Sequence, residues 1–413
     1  MKKLTQKICI YKLFILIIVI IIIIFFLFII PIKNSKYGIE NKLIRYMKMN
    51  KKEIKINKKK EKLISAIKYI NFIKESNHQI YYNQVGIPKI SFITTVFNQE
   101  KYLPNFIFSV QNQKLKEYEF IFVDDFSVDN STRIIHKFEE NDKRIKLIKN
   151  KKNMGTLYSR FIGELNAISE YIIFIDCDDF VLEEGIFNSY KYIKKYKIDI
   201  IQFHSIWKIK NKILIKDFSY NYKKIIYQPY LSYIFYYNNK KKQGIEDNCA
   251  LWNKLIKKEI ANKAFNWIGE NYLKEKIMTH NDLIILFSLL KNANSYKYID
   301  EFGYFYYFRA TKNSASNSWK NYKRSNEIVH GLFTNIKFLY TKTGNSYIDK
   351  YFCIFIVHNY YNQYNKLFKY INNKELSYIK EIFSILINSD YISKKNKSYI
   401  ILVKSLILNK RRK

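Results

Sequence analysis

Between residues 89 and 180 the apolar positions fall into two alternating rhythms. Lys89 to Phe97 (KISFITTVF), Tyr118 to Val123 (YEFIFV), Ile145 to Lys149 and Tyr171 to Ile175 (YIIFI) are short runs rich in β-branched and aromatic residues. That is the pattern of strands buried on both faces. Between them apolar residues recur at helical spacing: Leu103, Phe106, Ile107 and Val110, then Ile134, Ile135 and Phe138, then the helix-like stretch Gly155 to Ser169. Asp129 stands where the second helix needs an N-cap. The order β-α-β-α-β-α-β predicts an α/β fold with a mainly parallel sheet and helices on both faces.

Two of these strands stop on acid. Tyr118 to Val123 leads into Asp124 and Asp125, and Tyr171 to Ile175 into Asp176, Asp178 and Asp179. The carboxyl end of an open α/β sheet is where such folds place their ligands. Carboxylates crowded there repel one another unless a cation joins them. A hard divalent ion, held by one or two carboxylates and completed by substrate phosphates, suits such a group. The plainer alternative is a polar loop or helix cap after each core strand. Cys177, between the acids, is expected to pack inward.

Towards the N-terminus the pattern changes again. Leu13 to Ile30 is an unbroken apolar run of 18 residues, roughly 27 Å long as a helix and enough to cross a bilayer. It ends at Pro31, Ile32 and Lys33 rather than at a small-residue cleavage site, so an uncleaved single-pass anchor is expected. Lysines flank it on both sides and leave its orientation open. Such an anchor would lie in the inner membrane of a bacterium, or in the Golgi or endoplasmic reticulum of a eukaryote.

Lys and Arg number 72 against 35 acidic residues, a net charge of +37. A surplus of that size ordinarily points to nucleic acid or anionic membrane. Here it is spread along the chain, densest from Lys48 to Lys62, and it accompanies the Lys, Ile, Asn, Tyr and Phe bias of an AT-rich coding sequence. No helix-turn-helix, finger or RNA-binding signature goes with it, so nucleic acid is not an expected partner. The six histidines form no HxxxH or HExxH pattern and the four cysteines no CxxC, which removes the common zinc sites and a disulfide framework.

The ordered elements resemble the family 2 glycosyltransferases, which have the GT-A fold, from about Pro88 to Ser316. PKISFITTVFNQEKYL looks like that family's opening strand, SVQNQ its first helix, FIFVDDFSVDNS its nucleotide loop and IIFIDCDD its metal-binding DxD element. LWNKLIKKEI, NDLIILFSLL and YFYYFRATKNSAS follow in the family's order. With the apolar run and the basic stretch, the expected organisation is a tail at 1–12, an anchor at 13–30, a basic stem at 31–85, a GT-A domain at 86–320 and a helical C-terminal region at 321–413.

It also implies roles. Thr95 and Phe97 would border the nucleotide base, with Glu100 close by, and Asp125 would accept a hydrogen bond from the base, a match for the imide of uracil. Asp176 would hold the ribose and Asp178 the metal, manganese or magnesium, with Asp179 a second possible ligand. Arg160 is a candidate phosphate clamp, or else a solvated helix-face arginine. Asp282 would be the base that deprotonates the acceptor hydroxyl, beside Asn281 where the family's pair has an acid. Glu246 and Asp247 rank second for that role. Arg309, before Ser314 and Ser316, is a further phosphate contact.

The expected activity is inverting transfer of a hexose or N-acetylhexosamine from a uridine-linked nucleotide sugar to a glycan, glycolipid or glycoprotein hydroxyl. The alternative is an inactive relative that binds nucleotide or glycan without turnover.

Overall fold

Strands that are apolar at every position must be covered on both faces, and the sheet meets that demand with helices above and below. The computed structural model describes residues 56–75, 86–209, 212–216, 225–228, 250–277 and 281–308, with single positions at 231, 331, 334, 335, 338, 341 and 342. All belong to the unit Glu53–Lys413. The expected anchor at 13–30, Glu246, Asp247, Arg309 and most of the expected C-terminal region lie outside the described residues. Among those residues, no helix is long and apolar enough to cross a membrane.

In chain order the elements are α1 (Ile56–Glu75), β1 (Ile90–Val96), α2 (Leu103–Gln111), β2 (Tyr118–Asp124), α3 (Ser131–Asn141), β3 (Ile145–Lys149), α4 (Thr156–Asn166), β4 (Tyr171–Asp176), β5 (Phe180–Val181) and α5 (Glu183–Tyr196). They continue as β6 (Ile200–Ile209), β7 (Lys212–Lys216), β8 (Ile226–Tyr227), β9 (Lys254–Lys257), α6 (Lys258–Ile268), α7 (Glu270–Leu273), α8 (Asn281–Asn292) and β10 (Ser295–Phe308). The sheet order is β3-β2-β1-β4-β9-β6-β10-β5, with β7 beside β6 and β8 beside β10.

The first four strands are parallel, as crossover helices require. The expectation of a mainly parallel sheet fails beyond β4. There β9 runs antiparallel to both β4 and β6, β7 returns along β6, and β5 pairs antiparallel with β10, so the whole sheet is mixed. The reason is connectivity: β7 follows β6 after two residues, which allows only an antiparallel return. Yet β10 is parallel to β6, and β6 runs with β4 because β9 opposes both. The carboxyl ends of β1, β2, β4, β6 and β10 therefore share one edge.

One face of the sheet buries Ile93, Val123 and Phe174 under α4, α6 and α8, where Phe265 and Leu286 are fully enclosed. The opposite face buries Phe92, Phe120 and Phe122 under α2 and α5. Phe106 of α2 meets Phe120 edge-on at 5.5 Å, a geometry aromatic rings favour. Helix α4 crosses β1 so closely that a Cβ at Gly163 would lie 2.3 Å from Ile93 Cγ2.

Residues 56–75 of the segment read as a stem are part of this body. Leu63, Ile67, Ile70 and Ile73 of α1 recur at helical spacing and are buried, each contributing about 1.5–3 kcal/mol of hydrophobic stabilisation. Tyr69 Oη donates to Ser109 O at 2.8 Å, and Lys62 Nζ reaches Glu301 Oε1 at 2.7 Å.

Candidate active site

Register sets the site before any side chain is considered. Val96 lies opposite Asp124 and Thr95 opposite Asp176, so the loops after β1, β2 and β4 leave the sheet at one level. The first two loops are stitched together. Asn98 Oδ1 accepts from Val128 N at 2.9 Å, Asn98 N donates to Ser127 Oγ at 3.0 Å, and Asp129 Oδ2 accepts from Glu100 N at 3.1 Å. Glu100 Oε2 takes the backbone and side-chain N–H of Asn130 at 2.9 and 3.1 Å. Glu100 thus braces the loop after β2. Asp129 Oδ1 accepts from Ser131 N at 2.9 Å, an Asx turn that leads into α3, whose N-cap is Asn130 rather than the expected Asp129. Phe97 stands out from this brace, 44% exposed, as a base-stacking residue would. Thr95 is half-buried, and its carbonyl accepts from Cys177 Sγ at 3.3 Å. Cys177 does pack inward, and burial pushes its thiol well above the usual range, with Asp178 and Asp176 adding to it.

Asp125 is buried and ties the β2 end to the start of α4. Its Oδ1 accepts from Asn150 Nδ2 at 2.8 Å and Met154 N at 2.7 Å, and its Oδ2 from Gly155 N at 2.8 Å. A carboxylate offers about four acceptor positions, so a place on Oδ2 remains for one further donor. The anion also faces the positive end of α4. Gly155 holds φ at +90° here, where a side chain is strained. Asn150 was not singled out from the sequence. The signal for it was its place directly after β3, whose last residue Lys149 lies opposite Asp124.

From the same helix Arg160 points inward. It is not a solvated helix-face arginine: it is 5% exposed. Its Nη1 donates to Asn281 Oδ1 at 2.6 Å and to Asp282 Oδ1, and its Nη2 to Asp176 Oδ1 at 3.2 Å. Burial works against the guanidinium charge, but the Asp282 and Asp176 carboxylates outweigh it and hold the group above its ordinary value. One side chain therefore joins the end of β4 to the start of α8. Asn281 supplies a neutral acceptor where a third carboxylate would add a like charge. Asp282 keeps 26% of its side chain exposed, and nothing among the described residues engages its Oδ2.

The three acids after β4 have different surroundings. Asp176 keeps 35% of its side chain exposed. Its carboxyl is pushed up to about 7, chiefly by burial, with Arg160 pulling against this and Asp282 and Asp178 adding to it. Asp178 is half-buried. Asp179, expected as a second metal ligand, is turned to the sheet instead: Tyr304 Oη donates to its Oδ2 and Tyr307 N to its Oδ1, both at 2.8 Å. Tyr304 Oη also accepts from Asp176 N at 3.2 Å. No group of three or more His, Cys, Asp and Glu side chains is assembled among the described residues to hold a metal. Asp176 and Asp178, close enough to interact, still offer an oxygen-only donor pair. That fits a hard cation taking most of its ligands from substrate and water.

Residues 91–265 match the model of glycosyl transferase family 2. The chain is 40% identical over 100 residues to an uncharacterized glycosyltransferase of Haemophilus influenzae, covering 24% of this chain and 40% of the relative. It is 27% identical over 239 residues to the cholesterol galactosyltransferase of Borreliella burgdorferi, covering 55% and 62% respectively. It thus spans less than two thirds of each of these relatives. Among solved structures it is similar to S. aureus TarS 1–349 in complex with UDP-GlcNAc, with a TM-score of 0.56 and 14% identity over 78% of this chain and 89% of that one. At that identity the likeness concerns the fold.

Proposed function

Since residues 91–265 belong to glycosyl transferase family 2, we propose that this enzyme transfers a hexose or N-acetylhexosamine, with inversion, from a uridine-linked nucleotide sugar to an acceptor hydroxyl. The acceptor is a glycan, glycolipid or glycoprotein, presented at a membrane to which residues 13–30 anchor the chain. The observation that carries this reading is the Arg160 bridge. It brings Asp176, at the end of the DxD strand, and Asp282, at the start of α8, onto one guanidinium. Donor end and proton acceptor are thereby gathered at one place, as a displacement requires. The likeness in fold to TarS, solved with UDP-GlcNAc and with UDP, supports a uridine-linked donor.

Each group then has a definite task. Phe97 stacks on the base and the remaining Oδ2 position of Asp125 accepts from its imide. Asp282 Oδ2 takes the proton of the acceptor hydroxyl as its oxygen attacks from the face opposite the diphosphate. Arg160 keeps Asp282 oriented and supplies positive charge beside the departing group. A divalent cation, manganese or magnesium, held by Asp178 with Asp176, would supply Lewis-acid stabilisation of the leaving diphosphate. With a single base and no nucleophile opposite, the reaction inverts the anomeric centre.

The test is a panel of nucleotide sugars incubated with the full chain and manganese, read by mass spectrometry for nucleoside diphosphate. Metal-dependent release from a uridine-linked donor is expected. Release from none of the donors would leave the inactive, binding-only reading.

A further inference from the structure

The acid-bearing turn after β4 is held from one side by the end of β10. Phe180 and Val181, directly after Asp179, pair antiparallel with Phe305 and Tyr304, so the ladder brings the turn against that strand. A single hydroxyl then spans it. Tyr304 Oη accepts from Asp176 N at 3.2 Å and donates to Asp179 Oδ2 at 2.8 Å. Tyr307 N donates to Asp179 Oδ1 at 2.8 Å, and Asp179 N donates to Asp176 O at 3.3 Å. Asp178 lies in the chain between these fixed points.

A regular strand would not place Tyr304 there. The register of β10 against β6 shifts between Tyr298 and Phe302 and again between Phe302 and Tyr304. Irregularities of this kind bend a strand and re-aim the side chains beyond them. Past the shift the Tyr304 ring is fully buried and stacks on Trp252 at 4.5 Å and 14°. Burial pushes its hydroxyl well above the usual tyrosine range, with Asp179 and Asp176 adding to it. The hydroxyl therefore keeps the proton that it donates.

Resting on the glycosyl-transfer reading above, we infer that Tyr304 is a positioning residue: its hydroxyl fixes both ends of the acidic turn and so sets Asp178 where the donor's cation binds. A phenolic hydroxyl has one proton to give and lone pairs to accept with, and the turn uses both. The backbone N–H of Asp176 and the buried Asp179 carboxylate are groups that are costly to leave unmet. A cation that takes few ligands from the protein depends strongly on how each of them is placed. The arrangement also gives the third acid a task, since Asp179 ties the turn to β10 while Asp178 meets the ion. Phenylalanine at position 304 keeps the ring that stacks on Trp252 and removes only the link.

Manganese titration of the full chain at saturating UDP, followed by the electron paramagnetic resonance of the free ion, tests this. Tyr304→Phe should weaken manganese binding about tenfold. Uridine affinity without metal should stay equal to that of the parent chain, which also verifies the fold. Asp179→Asn reaches the same link from the other side and should weaken manganese binding by a similar factor. Because the two changes break one bond, the double variant should lose about thirtyfold or less, short of the roughly hundredfold that independent sites give. A lowered melting temperature with unchanged manganese affinity in Tyr304→Phe would overturn the positioning role and leave the donor reading in place. A loss of about a hundredfold in the double variant would do the same. Manganese binding that needs Tyr304 but is indifferent to UDP would uphold the role and discard the nucleotide-sugar donor. No manganese binding by the parent chain, with or without UDP, would overturn both.

Discussion

At the amino end of the sheet Glu119, Asp142 and Asp199 are buried and their oxygens serve neighbouring segments. At the carboxyl end Asp176 and Asp178 keep part of their surface open. Glu119 Oε1 accepts from Ser91 Oγ at 2.5 Å, Ile168 N at 2.7 Å and Ser169 N at 3.2 Å, tying β1, β2 and the entry to β4. Asp199 Oδ2 takes Asn294 N and Ser295 N at 2.7 and 3.2 Å, and Asp142 forks with Arg144. The same kind of side chain is thus enclosed and bonded to neighbouring segments at one end and left partly open to solvent at the other. The difference teaches how to separate structural from functional acid: count which carboxylate oxygens the protein itself fills. By that measure Asp179 belongs with the amino end although it sits at the carboxyl end, and Asp125 falls between.

Substitutions should divide the same way. The largest effect is expected from Asp178→Ala, which should lower both donor hydrolysis and transfer by about a thousandfold while leaving the melting temperature unchanged. Turnover assays beside a thermal melt check this. Glu119→Ala should do the reverse, costing about 3 kcal/mol of stability because Ser91 and two backbone N–H groups lose a buried anion. Urea unfolding measures that loss, and activity per folded molecule should survive.

Glu164 sharpens the comparison, because it is a buried acid that serves neither end. It lies on α4, fully buried, and neither oxygen makes a well-formed hydrogen bond among the described residues. Burial pushes its carboxyl from 4.5 up to about 7, with Lys258 and Asn262 pulling weakly the other way. An acid whose folded pKa is raised carries no penalty below its unfolded pKa. The penalty grows between 4.5 and about 7 and is complete above that. Glu164 alone should cost about 3 kcal/mol of stability across this window, and Glu164→Gln should reduce the slope by that share and leave the part owed to Asp176, as unfolding at pH 5 and pH 8 would reveal. The smallest effect is expected at the exposed pair Glu270 and Lys274, which bracket α7 from its first residue to its C-cap. Glu270→Ala should leave the melting midpoint where it is, since water screens such pairs.

What the sequence made legible was local. The β-α alternation from β1 to β4 follows from the spacing of apolar residues, and β3 and the acid-ended strands fall where that spacing places them. The second half was harder to read because its strands depend on distant partners. LWNKLIKKEI contributes only the four residues of β9 before turning into α6, and no short-range rhythm announces a strand inserted between two others. Arg160 illustrates the limit best. Its partners Asn281 and Asp282 lie 121 and 122 residues away, so from sequence both the clamp and the solvated reading looked open.

Asp282→Asn is the substitution that bears most directly on the claim that the carboxyl edge joins donor and base in one centre. It leaves a neutral acceptor for Arg160 and removes only the proton-accepting charge. Calorimetric titration with UDP and manganese, run beside a transfer assay, should give unchanged nucleotide affinity with transfer reduced by about a hundredfold or more. Transfer at the normal rate with unchanged nucleotide affinity would contradict the account and send the search for the base elsewhere.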